Sequence, residues 1–141
     1  MKRTLLYRLF GIGKIPAERS SVFSVEGIVL ADEGIKGTVT YRNFRSPQRI
    51  ANWKRQWYTA SIVLTERRLA AFQYSAPTID VALTDARFRE LDFAVEPDGA
   101  LLVRFDAPLF HNDWSGVIEY RFFTSFAAGF LNKLTENQNR N

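Results

Sequence analysis

Ile62-Val63-Leu64-Thr65-Glu66-Arg67-Arg68-Leu69-Ala70-Ala71-Phe72 decides the fold class. It reads as an apolar strand, a two- or three-residue polar turn and a second apolar run, which together make a β-hairpin near the middle of the chain. Working outward, Tyr58, Ala60, Ile62 and Leu64 form one inward set that faces away from Trp57, Thr59 and Ser61. The second run continues to Tyr74 and ends at Ser75-Ala76-Pro77.

Period-two alternation recurs on both sides of this hairpin. Upstream, Phe23, Val25 and Val29 predict a strand from Ser21, with Gly27 at a bulge or a close crossing. Ala31-Asp32-Glu33-Gly34 is read as its turn, and Ile35, Val39 and Tyr41 as the returning strand. Downstream, Ile79, Val81 and Leu83 alternate with polar neighbours, as do Leu91, Phe93 and Val95. Glu96-Pro97-Asp98-Gly99 is a tight turn by its proline and glycine, and Leu101, Val103 and Phe105 return from it. Ile118, Tyr120 and Phe122 make the last strand. The count is about eight short runs, two of which can belong to one bent strand.

The period changes at Thr124. Phe126, Ala127, Phe130, Leu131 and Leu134 recur at three and four residues, which predicts an amphipathic helix of about twelve residues with Thr124 or Ser125 as its cap. The core expected from these patterns joins Tyr58, Ile62, Leu64, Val81, Leu91, Phe93, Val103, Phe105, Tyr120 and Phe122 beneath Phe126 and Phe130.

The chain's 141 residues suit one core, and 14% aromatics, twelve of them Phe, supply the material to fill it. The expected organisation is a basic amphipathic segment over 1–20, a barrel with its C-terminal helix over 21–136 and a frayed tail over 137–141. With no cysteine, disulfides, thiolate catalysis and sulfur-based zinc sites are excluded. The run Leu5-Leu6-Tyr7 is broken at Arg8, so neither a secretory signal nor a membrane-spanning segment is expected. The location expected is cytoplasmic, either free or peripheral at the inner membrane face.

Seven or so antiparallel strands closed by a C-terminal helix resemble the pleckstrin-homology-like superfold over roughly 21–136. Val63-Leu64-Thr65-Glu66-Arg67-Arg68-Leu69 is similar to GRAM-like and bacterial members. The resemblance implies a mainly β (α+β) fold, a small barrel with a helical cap and a short N-terminal helix. It further implies a module that binds phosphoinositide headgroups, peptides or partner domains, or that oligomerises, without catalysis or cofactor. Two departures stand out. The first hairpin loop, read as Ala31-Asp32-Glu33-Gly34, is acidic and would repel phosphates. The helix has no tryptophan, so Phe126 or Phe130 stands in its place.

Charge is uneven along the chain. Met1–Arg68 carries thirteen basic and five acidic residues, a net of +8, whereas Leu69–Asn141 carries six and ten, a net of −4. The densest stretch reads as a basic connection in which Arg42, Arg45, Arg49, Lys54 and Arg55 are interleaved with Phe44, Trp53, Trp57 and Tyr58 and no acid intervenes. Together with Arg3 and Arg8 of the N-terminal segment, these residues are expected on one positive face. Cations beside aromatic rings suit an anionic lipid surface or a protein partner, with nucleic acid through 42–58 as an alternative. A second copy of the chain is a further candidate partner.

Other motifs carry less. His111 is the lone histidine, near Asp113, Trp114 and Ser115. A pocket there would suit a small enzyme or ligand carrier, but no nucleophile-elbow motif surrounds Ser115. One histidine cannot build a multi-histidine metal site. Gly11-Ile12-Gly13-Lys14 is too short for a phosphate-binding loop.

Overall fold

A computed structural model describes residues 3–4, 8, 11 and 13–140. Helix α1 (Ala17–Glu26) is followed by strands β1 (Ile28–Ser46), β2 (Arg49–Thr65), β3 (Arg68–Gln73), β4 (Ala76–Ala82), β5 (Asp92–Val95), β6 (Leu101–Asp106) and β7 (Ser115–Phe122). Helix α2 (Ala127–Asn139) ends the chain, and short 3-10 turns follow β4 and β6. All seven strands lie in one antiparallel sheet in the order β4-β3-β2-β1-β7-β6-β5. The sheet curls into a half-barrel with helices before and after it, with the strand number, antiparallel pairing and C-terminal helix that the resemblance implies.

The deciding hairpin forms because its turn satisfies its own amides. Thr65 Oγ1 accepts from the N–H groups of Arg67 and Arg68 at 3.1 and 3.0 Å, and β2 and β3 pair from Ala60↔Gln73 to Leu64↔Leu69. On the concave side, Ile35, Val39, Ile62, Leu64, Leu69, Val81, Val103, Ile118 and Phe122 bury together. The sheet does not close, since β4 and β5 are its two edges. The seam is covered by Phe88 of the first 3-10 turn and by Phe130 and Leu134 of α2, all fully buried. Gln138 Nε2 ties the helix to the seam by donating to the carbonyls of Phe88 and Leu91 at 3.0 and 2.8 Å.

Five expectations are corrected. Residues 17–26 are helical, although Phe23 and Val25 alternate as a strand would: Phe23 alone is buried, against Val63, Ala70 and Phe72, while Val25 is 89% exposed. One anchored turn decides this helix. Gly27, at φ +88°, ends it and is no bulge within a strand. Nor is there a turn at Ala31–Gly34, because β1 runs through it with a register irregularity between Glu33 and Ile35. Asp32 is buried there, accepting from the Thr124 hydroxyl at 2.7 Å.

The stretch 42–55 is paired strand and not a connection. At the C-terminus α2 begins at Ala127 and continues to Asn139, with Phe126 48% exposed, so Phe130 is the buried aromatic of the helix and the helix extends past 136 into the expected tail. The N-terminal amphipathic helix falls mainly on Leu5, Leu6, Leu9 and Phe10, which lie outside the described residues. Arg8 is helical, its N–H bonded to the Thr4 carbonyl at 3.1 Å.

Helix α1 is latched by charge. Arg68 Nη2 lies 2.7 Å from Glu26 Oε2 and its Nη1 3.2 Å from Asp80, which also meets Arg19 at 2.6 Å. Hydrogen bonds from Arg68 hold the Glu26 carboxyl below its ordinary value of 4.5, against the opposing effect of burial. A lowered folded value means the latch is fully stabilising above that ordinary value and is lost as pH falls through the folded one. Glu26→Gln should therefore cost about 1–2 kcal/mol at neutral pH and flatten the acid limb of a urea-denaturation profile against pH. Phe105→Ala, which removes a ring packed on Phe110 and Tyr120, should cost about 3–5 kcal/mol in the same measurement.

Candidate binding surface

Strand β3 leaves β2 at Ala60, whereas β1 and β2 stay paired down to Ser46↔Arg49 and β7 follows β1 as far as Arg45. The result is a ribbon of β2 and β1, backed by β7 on its β1 side and open on its β2 side, that turns at Pro47-Gln48. This is the first hairpin loop of the fold, and it is flanked by Arg45 and Arg49. The expectation of an acidic, phosphate-repelling first loop is overturned with it. Between Gly34 and Thr65 there are six basic residues and no carboxylate.

Strand alternation divides these side chains between two faces. On the convex face, registered rows run Trp53–Arg42–Val117–Asp106, Arg55–Thr40–Glu119–Arg104 and Trp57–Thr38–Arg121–Leu102. Glu119 is buried and gathers three arginines: Arg42 at 3.1 Å, Arg121 at 3.2 Å and Arg104 at 3.6 Å. Arg121 also reaches Glu96 at 2.8 Å. Arg55 Nε donates to Thr40 Oγ1 at 2.8 Å while its guanidinium lies 5.4 Å from the Trp53 ring centroid. Lys36 Nζ sits 3.6 Å from the centroid of Trp57, which stacks on Phe123. Both tryptophans are 56% exposed and Ile50 is 67% exposed.

The residues picked from sequence are thus partly brought together. Arg42, Trp53 and Arg55 share the convex face, with Arg42 neutralised by Glu119. Lys54 is opposite Tyr41 in the register, one step out of phase with Arg55. Arg49 packs 5.5 Å over the Tyr41 ring, and Arg45 is exposed beside the turn. Arg3 reaches Asp32 at 3.4 Å, away from the ribbon. A single face holding all the cations is therefore not what forms. Sequence reasoning missed Lys36, Ile50, Phe123 and the Glu119 hub. The alternation of Trp53, Arg55 and Trp57 was the available signal for the convex face.

Beside the turn, Tyr41, Phe44, Ser46, Gln48, Arg49 and Trp114 line a recess of about 320 Å³. Asn43, at φ +49°, bends β1 there, and Phe44 swings onto Tyr41 and Trp114 at 4.8 and 5.3 Å. Gly116 passes so close that a Cβ would meet the Arg42 and Asn43 carbonyls at 2.6 and 2.5 Å, so the approach requires glycine. His111 stacks on Trp114 at 3.7 Å beside a smaller recess of about 130 Å³. Among the described residues neither Asp113 nor Ser115 hydrogen-bonds its ring. Burial, and then neighbouring tyrosines, push the Tyr58 and Tyr120 phenols up, so both stay protonated at neutral pH. Among the described residues no cluster of His, Asp and Glu could hold a metal.

Comparison with known proteins finds no matching family profile and no matching curated protein. Among solved structures, the pleckstrin homology domain of ArhGAP27 is similar over 77% of this chain and 99% of its own, at 16% identity and a TM-score of 0.43.

The Glu119 hub yields a test. Glu119→Gln removes the one buried carboxylate that faces three arginines, and should cost about 2–3 kcal/mol by urea denaturation. An unchanged midpoint would show the arginines to be held by other contacts.

Proposed function

We propose that this chain is a non-enzymatic binding module that engages an anionic membrane surface through the tip of the β1–β2 ribbon. The single observation that carries this reading is the turn end of β1 and β2, where exposed Ile50 and Trp53 stand among Arg45, Arg49 and Lys54, with Arg55 and exposed Trp57 farther along β2. Tryptophan settles at the headgroup level of a bilayer. Each nearby cation contributes about 1 kcal/mol at an acidic leaflet, so four together give reversible attachment. Their alternation on a twisted ribbon lets both faces near the turn meet headgroups when the tip points at the membrane. The cytoplasmic leaflet is the surface that fits, and no helix among the described residues is long and apolar enough to cross a membrane.

Vesicle sedimentation tests this. Binding to phosphatidylserine-containing vesicles is expected at low salt, with release at about 1 M, where the Debye length falls to about 3 Å. Changing Arg45, Arg49 and Arg55 to glutamate should abolish it, and Trp53→Ala should weaken it. His111→Ala should leave it intact. Attachment that ignores lipid charge and these substitutions would overturn the reading. Tighter capture of single-stranded DNA than of vesicles, by the same residues, would transfer the surface to nucleic acid.

A further inference from the structure

The ribbon also has a side. Strand β3 covers β2 only from Ala60 to Leu64, so from Arg49 to Tyr58 the β2 strand is bonded to β1 alone among the described residues. The direction of its main chain is fixed by one contact: the Thr59 carbonyl accepts the Tyr74 N–H at 2.9 Å, so Thr59 points toward the β3 side. Main-chain direction alternates along a strand. The N–H and C=O groups of Trp57, Arg55 and Trp53 therefore point the same way, into the space that β3 vacates. Their partners on β1, such as Thr38 opposite Trp57 and Thr40 opposite Arg55, form the non-bonded pairs of that ladder.

An unpaired edge of this length is a template for another strand. From these observations we propose that an acidic, extended segment of a partner polypeptide adds to the β2 edge from Trp53 to Trp57, continuing the sheet past the end of β3. This goes beyond membrane attachment, because it uses main-chain groups at the side of the ribbon, and failed vesicle binding would leave it standing. Charge complementarity selects the occupant. With six basic residues and no carboxylate from Gly34 to Thr65, the edge is flanked by Lys54 and Arg55, which favour opposed carboxylates and resist opposed cations. A second copy is disfavoured by the same rule, since antiparallel pairing of two ribbons about Lys54 sets lysine against lysine. Where the open edge begins, Lys14, Ile15, Pro16, Tyr74 and Ser75 line an apolar recess of about 670 Å³ able to take one apolar side chain of the incoming segment.

The test is NMR of the full chain with a capped octapeptide of alternating glutamate and valine. Binding should slow amide exchange at Trp53, Arg55 and Trp57, and leave Lys54 and Gln56, already directed at β1, unchanged. A peptide N-methylated on alternate residues keeps every charge but loses main-chain donors, and should bind at least about tenfold more weakly. So should the original peptide to the Lys54→Glu/Arg55→Glu variant. The inference is overturned by equal binding of the N-methylated peptide, which would mean charge attraction alone. It is equally overturned by no binding, by protection centred on the Tyr41–Trp114 recess, or by protection of the same amides through self-association without peptide.

Discussion

Pairing along β1 is the constraint on which the rest depends. This strand meets β2 along nearly its whole length and meets β7 from Gly37 to Arg45. The two halves of the sheet, β2-β3-β4 and β7-β6-β5, therefore share a single backbone. Hydrogen bonds from one strand to partners so distant in sequence are costly in loop closure, as the Arg121–Thr40 contact across 81 residues illustrates. The cost is offset because the inward residues of β1, Ile35 and Val39, lie at the junction of both halves and are wholly buried. The outward residues on either side of Val39, Thr38 and Thr40, are buried as well, beneath the arginine and tryptophan layer. A strand buried on both sides fixes register strongly, since a one-residue slip would exchange Val39 with Thr38 or Thr40.

How much of this was legible in the sequence depended on whether a segment has one wet face. Strands β6 and β7 do, and Leu101, Val103, Phe105, Ile118, Tyr120 and Phe122 were readable from alternation alone. The β2–β3 turn was readable because Thr65-Glu66-Arg67 interrupts two apolar runs. Residues 17–26 were not, for Phe23 is their single buried side chain and one anchor has no period. What makes them helical lies elsewhere in the chain, in Val63, Phe72 and Arg68. At Ala31–Gly34 the local turn preference was real, yet the pairing of β1 with β2 and the burial of Asp32 against Thr124 outweighed it. A bulge absorbs the glycine, and Asp32 becomes a tie to the C-terminal segment.

The binding surface divides along the same line. Its chemistry, cations interleaved with tryptophans and no acid, is a property of composition and could be read directly. Its geometry could not, because β2 from Arg49 to Trp57 is largely exposed on both faces and carries no hydrophobic alternation to mark it as strand. Nor could the sequence assign partners to the arginines. Glu119, some eighty positions downstream of the ribbon's start, separates Arg42 from Arg45, Arg49, Lys54 and Arg55, which have no carboxylate partner among the described residues.

That separation bears on how the surface would recognise anything. Arg55 is held between Thr40 and Trp53, and Lys36 against Trp57 and Phe123, so these side chains surrender less rotamer freedom on binding than exposed cations on flexible loops. The arginines around Glu119 add rigidity without adding much net charge. The tip and the edge then call on different physics. Side chains at the tip offer charge and amphipathic rings, which suit a fluid anionic surface with no fixed geometry. The edge offers main-chain groups at fixed spacing, which only an extended polypeptide can match. One ribbon supports both because strand pairing turns the side chains of Trp53 and Arg55 toward the convex face while directing their peptide groups sideways, so occupying the edge need not remove the cations nearest the turn.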